Sequence, residues 1–204
     1  MRHLRLLIVS GLAISFLAST SYAAGNVTGT ISAKKKKYLP NTIVYLDEVK
    51  GEFTPPKEPV VMDQKQMQFH PHVLPVLFGT TVDFLNSDEV AHNVFSPDET
   101  AGKVNLGTWA QGETRSYKFD KPCEKTCEAV MLCNVHPEME AYVVVMQNPY
   151  YTMADDSGYF VIADVPAGEY TLKIWNPKKS ADDQTITIVD GKDTEVTFKL
   201  KRKK

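Results

Sequence analysis

The sequence predicts an all-β protein, and three observations carry that prediction. Apolar and polar residues alternate with a period of two in short runs. Clusters of Gly, Asn, Asp, Ser and Pro separate those runs, and no long amphipathic helix pattern appears beyond the N-terminal segment. Strands of this length with turns at this spacing fit a β-sandwich or a Greek-key barrel, in one or two domains.

Taken in order, residues 25–33 and 41–46 read as strands flanking the lysine-rich turn 34–37. Val82 and Phe84 alternate with Thr81 and Asp83 between the breakers Gly79 and Asn86-Ser87-Asp88. After Gly112, Tyr117 and Phe119 alternate with Ser116 and Lys118, and residues 142–146 form a continuous apolar run. The C-terminal third has a different texture. Asp155-Asp156-Ser157-Gly158 is a turn, 159–162 a strand, Val165-Pro166-Ala167-Gly168 a turn, and 169–175 a strictly alternating strand. Strands at 185–189 and 195–200 follow, with a turn at Asp190-Gly191-Lys192-Asp193 between them. This is a small sandwich short of its opening strands, which the two N-terminal strands would supply.

The first 23 residues read as a targeting segment. Arg2 and Arg5 precede the apolar stretch 6–17, and Ser21-Tyr22-Ala23 places small residues for cleavage after Ala23. The apolar stretch is short for a bilayer span and nothing similar recurs, so the expectation is an exported, periplasmic or secreted chain without stable membrane insertion. Without Arg2 and Arg5 the mature chain holds 21 basic and 25 acidic residues, a formal charge of −4. That balance removes the usual footprint of nucleic-acid binding. The clusters 34–37 and 201–204 read as a solvated turn and a frayed tail.

Three cysteines occur: Cys123, Cys127 and Cys133. In an oxidising compartment Cys123 and Cys127 can pair and leave Cys133 as the odd thiol; in the competing reading both are soft metal ligands. Cys133, His136 and Met139 stand at C-x2-H-x2-M spacing, and His92 follows an alternating strand upstream. Two imidazoles, one thiolate and one thioether form the donor set of a single blue-copper centre, which holds both copper oxidation states in nearly one geometry. A buried free cysteine alone would leave the placement of His136 and Met139 without a reason. His70 and His72 flank Pro71 and read either as an accessory copper site or as two exposed imidazoles.

Residues 53–149, with Phe69, Gly79-Thr80-Thr81-Val82-Asp83-Phe84, Asn86-Ser87-Asp88, His92-Asn93-Val94 and the Cys133–His136–Met139 loop in order, resemble a cupredoxin, a type 1 blue copper protein. The short ligand loop is similar to those of amicyanin, pseudoazurin and plastocyanin. The flanks resemble a carboxypeptidase regulatory-like domain, through a strand near residues 41–46 and an Asp-x-x-Gly-x-Phe core followed by Val165-Pro166-x-Gly168-x-Tyr170-x-Leu172. The architecture expected is a Greek-key cupredoxin sandwich inserted into, or adjoining, a small regulatory-like sandwich. In the insertion, residues 24–52 and 150–200 make one discontinuous unit, and pairing of the first strands with 170–175 decides for it.

The resemblance implies ligand roles for His92, Cys133 and His136 in plane and for Met139 on the axis. It makes His136 the partly exposed route for electrons, and gives Asn93 a hydrogen bond pinning its loop to that of Cys133. The Cys123/Cys127 loop departs from the family pattern. The function expected is one-electron transfer between protein redox partners, without enzymatic activity, since the chain lacks the repeated His-x-His and His-Cys-His arrays of multicopper enzymes. The alternatives are copper storage, delivery or resistance, and an adhesion or scaffold module with a vestigial site.

Overall fold

The computed structural model describes residues 24–122 and 127–203. The targeting segment with its expected cut after Ala23, and Cys123, lie outside the described residues. The described chain is almost wholly β, and its strands make two sandwiches that pack on one another. No helix among the described residues is long and apolar enough to cross a membrane.

In one sandwich β1 (Ala24–Ser32) lies between β13 (Tyr159–Pro166), antiparallel to it, and β17 (Thr194–Lys199), parallel to it. The facing sheet runs β12 (Tyr151–Met153), β2 (Ile43–Asp47), β14 (Gly168–Trp175), β16 (Gln184–Ile188). β2 is antiparallel to β14, with Ile43 opposite Trp175 and Leu46 opposite Leu172. The alternation read from the sequence sorts residues between core and solvent: Val196 and Phe198 are buried while Glu195, Thr197 and Lys199 are exposed. Val27, Ile31, Leu46, Phe160, Leu172 and Phe198 fill this core, and burying each large apolar side chain is worth about 1.5–3 kcal/mol. At the 155–158 turn, Asp155 Oδ1 accepts the N–H groups of Ser157 and Tyr159, both at 2.8 Å. Gly158 takes a φ of +88° there, where an added Cβ would meet the Ile31 carbonyl at 2.2 Å.

One expectation is corrected at the C-terminus. Lys201–Arg202 form a short strand, β18, antiparallel to β15 (Lys179–Ser180), so this part of the tail is paired rather than frayed. The bond that starts it, from the Leu200 N–H to the Ser32 carbonyl at 2.8 Å, is long-range and leaves no local trace in sequence.

The other sandwich faces a sheet of β5 (Val73–Leu77), β11 (Glu140–Met146), β10 (Cys127–Leu132), β7 (His92–Phe95) and β8 (Asn105–Trp109) against one of β4 (Gln68–His70), β3 (Val60–Lys65), β6 (Thr81–Asn86) and β9 (Thr114–Lys118). Met62, Phe84, Val94, Phe119, Met131 and Val143 lie in its core. The apolar run at 142–146 is explained by burial on both faces of β11. Val143 and Val145 point into this core, while Val144 and Met146 join Ile43 and Val73 in a third apolar layer between the sandwiches. At that layer Tyr142 and Trp175 meet edge to face at 5.6 Å, and Trp175 Nε1 donates to Glu128 Oε2 at 2.5 Å. Strand β10, which leads into Cys133, and the regulatory-like sheet are thereby joined.

Candidate metal centre

The loop between β6 and β7 is organised by one amide. Asn86, 1% exposed, closes β6. Its Nδ2 donates to the carbonyls of Val90 (2.9 Å) and Trp109 (3.1 Å), and its Oδ1 accepts the Asp88 N–H at 3.0 Å. Asp88 is thereby aimed at β7. Its carboxylate accepts the N–H groups of Gln66 (2.6 Å) and Met67 (2.9 Å) and lies 2.9 Å from Nε2 of His92. Desolvation by burial pushes this carboxyl up, but the Met67 N–H, the His92 ring and the Gln66 N–H outweigh it, so its pKa falls below the ordinary value. An ionised carboxylate only accepts, so His92 Nε2 carries the proton and Nδ1 presents its lone pair on the opposite side.

That lone pair faces Cys133 and His136. Cys133 is a free, buried thiol directly after β10. β10 is held at its start by the disulfide of Cys127 and near its end by pairing of Leu132 with Phe95 of β7. The disulfide sets aside the soft-ligand reading of Cys127; its expected partner Cys123 lies outside the described residues. The Asn93 N–H donates to Cys133 Sγ at 3.4 Å. Asn93 Nδ2 donates to Asn105 Oδ1 (2.9 Å) and the Gly107 carbonyl (2.8 Å), and its Oδ1 accepts the Asn134 N–H at 3.3 Å. One side chain thus ties β7, the 105–107 stretch and the Cys133 loop together. A turn with the Met139 N–H on the His136 carbonyl, 3.0 Å, completes that loop, and Met139 is 1% exposed beside Cys133 in the core.

The three donor atoms form a triangle. His92 Nδ1 and His136 Nδ1 are 2.9 Å apart, and Cys133 Sγ lies 4.0 Å from the first and 3.9 Å from the second. The point equidistant from all three lies about 2.1 Å from each, inside the range of roughly 2.0–2.3 Å for bonds from imidazole nitrogen and thiolate to a borderline metal. The donor set therefore fits a metal ion, and its softness fits copper. It is the single group of three or more His, Cys, Asp or Glu donors within ligating range among the described residues. His92 is fully buried and His136 partly exposed.

Other residues stand apart. His70 Nε2 meets the Lys65 carbonyl at 3.1 Å and His72 Nδ1 the Glu140 carbonyl at 3.0 Å, so each ring has its own backbone partner, and neither belongs to that donor group. Asp88 is a partner of His92 although Asn86-Ser87-Asp88 reads in sequence only as a turn. A carboxylate four residues before a ligand candidate is the signal that could have found it.

Residues 57–146 match the copper binding proteins of the plastocyanin/azurin family, and residues 137–201 match the carboxypeptidase regulatory-like domain. The chain is thus similar to copper binding proteins over its middle and to the carboxypeptidase regulatory-like domain over its C-terminal third. No curated protein matches the chain. Solved structures similar to it include a Cu(I) mutant of amicyanin (25% identity over 43% of this chain and 81% of that one, TM-score 0.38). A reduced Cu(I) amicyanin mutant at pH 4 is 22% identical over 50% and 97%, TM-score 0.38. A Cu-containing nitrite reductase from Thermus scotoductus SA-01 is 23% identical over 50% and 25%, TM-score 0.41.

Proposed function

We propose that this protein is an exported type 1 copper protein that carries single electrons between redox partners and is not an enzyme. The observation that carries the reading is the Sγ, Nδ1, Nδ1 triangle, held by hydrogen bonds that do not depend on a metal. His92, Cys133 and His136, with Met139 as a fourth donor, would hold one copper ion, and that ion would supply the one-electron couple. The chain's residues do the rest. Asp88 fixes the tautomer and orientation of His92, Asn93 holds the two ligand loops in register, and the core around Phe84 and Met131 excludes water. A donor set that cannot relax keeps the geometry common to both redox states, and His136 is the open edge through which a partner's electron passes. Storage or delivery would call for donors open to exchange, whereas His92 is 0% and Cys133 3% exposed.

Export is supported by the disulfide at Cys127, since such bonds persist in oxidising compartments. We also read the cupredoxin, 53–149, as an insertion into a regulatory-like unit of residues 24–52 and 150–200; the pairing of β2 with β14 supports it. The test is the visible and electron paramagnetic resonance spectrum of mature protein with Cu(II). An intense sulfur-to-copper charge-transfer band and narrow hyperfine splitting, absent from Cys133→Ser, is the expected result. A colourless protein with an ordinary copper resonance would reject the reading.

A further inference from the structure

The two basic clusters, which begin at Lys34 and Lys201, meet in the fold. A groove of about 530 Å³ is lined by Lys34, Lys35, Lys179, Lys199, Lys201 and Arg202, with Tyr38 beside them. The β15–β18 pairing brings the C-terminal cluster here, and Lys179 Nζ sits 4.3 Å above the Tyr38 ring. Lys201 is paired with Asp182, but Lys34, Lys35, Lys199 and Arg202 form no ion pair among the described residues. Unpaired like charges held side by side create a strong local field without stabilising the fold.

The groove does not end at the lysines. A cleft of about 220 Å³ shares Tyr38 with it and includes His72 and Lys178. A third, about 320 Å³, shares His72 and Lys178 and reaches Glu138 and Met139 on the metal loop. A line of concavities therefore leads from the basic end of the regulatory-like sandwich to the metal site.

We infer that the regulatory-like sandwich is the docking element for an acidic protein surface, which the lysine-lined groove holds beside the metal loop. The inference rests on the electron-carrier reading and names the partner class for that site. Charge complementarity selects the occupant, and Glu138 at the far end repels an acidic surface that slides too far, which fixes register. An anionic membrane fits less well. The groove is concave, and none of the exposed large apolar side chains, such as Val61, Phe78 or Val135, lines it for insertion. The cupredoxin, residues 53–149, has seven basic and thirteen acidic residues, so its own surface does not attract this partner.

The test is binding of a glutamate homopolymer to the full mature chain, metal-free and copper-loaded, at low and high salt. Binding to both forms that falls with salt, and weakens about tenfold or more in Lys34→Glu/Lys35→Glu/Arg202→Glu, is expected. A control, Lys57→Glu/Lys65→Glu/Lys121→Glu, changes net charge equally on the copper sandwich and should bind like the parent. Equal loss in both variants would overturn the inference in favour of net charge alone. Tighter binding to phosphatidylglycerol vesicles than to the polymer would overturn it in favour of a membrane. Amide shifts on polymer binding should fall at residues 34–38, 178–179, 199–202 and at His72; shifts centred elsewhere would overturn it. Because the metal-free form is included, these outcomes are independent of whether the copper centre is type 1.

Discussion

The two sandwiches bury polar side chains for different ends. In the regulatory-like unit, Asn176 is 1% exposed and its Nδ2 donates to the Tyr38 and Asn41 carbonyls and to Thr42 Oγ1; at the junction with it, Asn148 Nδ2 donates to the Leu46 carbonyl. These amides are latches that tie distant segments of backbone together. In the copper sandwich Asn86, Asn93 and His92 are as deeply buried, but their bonds converge on a shared point and leave three donor atoms facing each other. A buried polar group must be bonded in either case. What marks a functional site is a network that satisfies itself and still presents free lone pairs.

Core truncation should separate the two regions most sharply. Phe84→Ala and Phe160→Ala each empty a fully packed site and should cost about 3–5 kcal/mol in denaturant unfolding. Phe84→Ala should also weaken copper binding, whereas Phe160→Ala should leave the copper spectrum unchanged while the chain is folded; equal spectral effects would remove the distinction. Asn93→Ala comes next. It cuts the ties among the two ligand-bearing segments and the 105–107 stretch and should lower copper affinity about 10–100-fold by competition titration. Asp88→Asn removes the charge behind His92, which favours Cu(II) over Cu(I). The reduction potential should rise, by about 59 mV if the differential loss is tenfold.

Lys173 offers a pH test on the other sandwich. Its bond to Asp47 raises its pKa, against a smaller opposing effect of burial, and Asp183 adds to the rise. A raised pKa means that the stabilisation is fully present below the ordinary lysine value and is lost as pH rises through the raised one. The thermal midpoint of Lys173→Met should therefore lie below that of the parent near neutrality and approach it in strong alkali. The smallest effect is expected at Glu99→Ala, which breaks an exposed pair with Lys103 and should leave the thermal midpoint unchanged.

Much of this was legible in sequence because it is local. The alternation at Val82 and Phe84 marks the buried face of β6, and the spacing from Cys133 to Met139 places one cysteine sulfur, one imidazole and one thioether on one loop. Strands β3, β5 and β12 were not singled out; β5 carries Pro75, and β12 has only three half-buried residues. The pairing of Lys201 with Ser180 could not be read because nothing local favours a strand of lysines. Asp88 stayed hidden because a turn residue and a carboxylate partner look alike until the Met67 N–H and His92 are brought to it across two strands. The run at 142–146 announced double burial, but its second partner, the β2–β14 sheet, became visible only in three dimensions.

The central claim is tested most directly by X-ray absorption at the copper edge of the Cu(I) and Cu(II) proteins. The account predicts two nitrogen scatterers and one short sulfur scatterer in both states, with bond lengths changing little between them. A copper ion surrounded by nitrogen and oxygen alone, or a coordination number that changes on reduction, would contradict it.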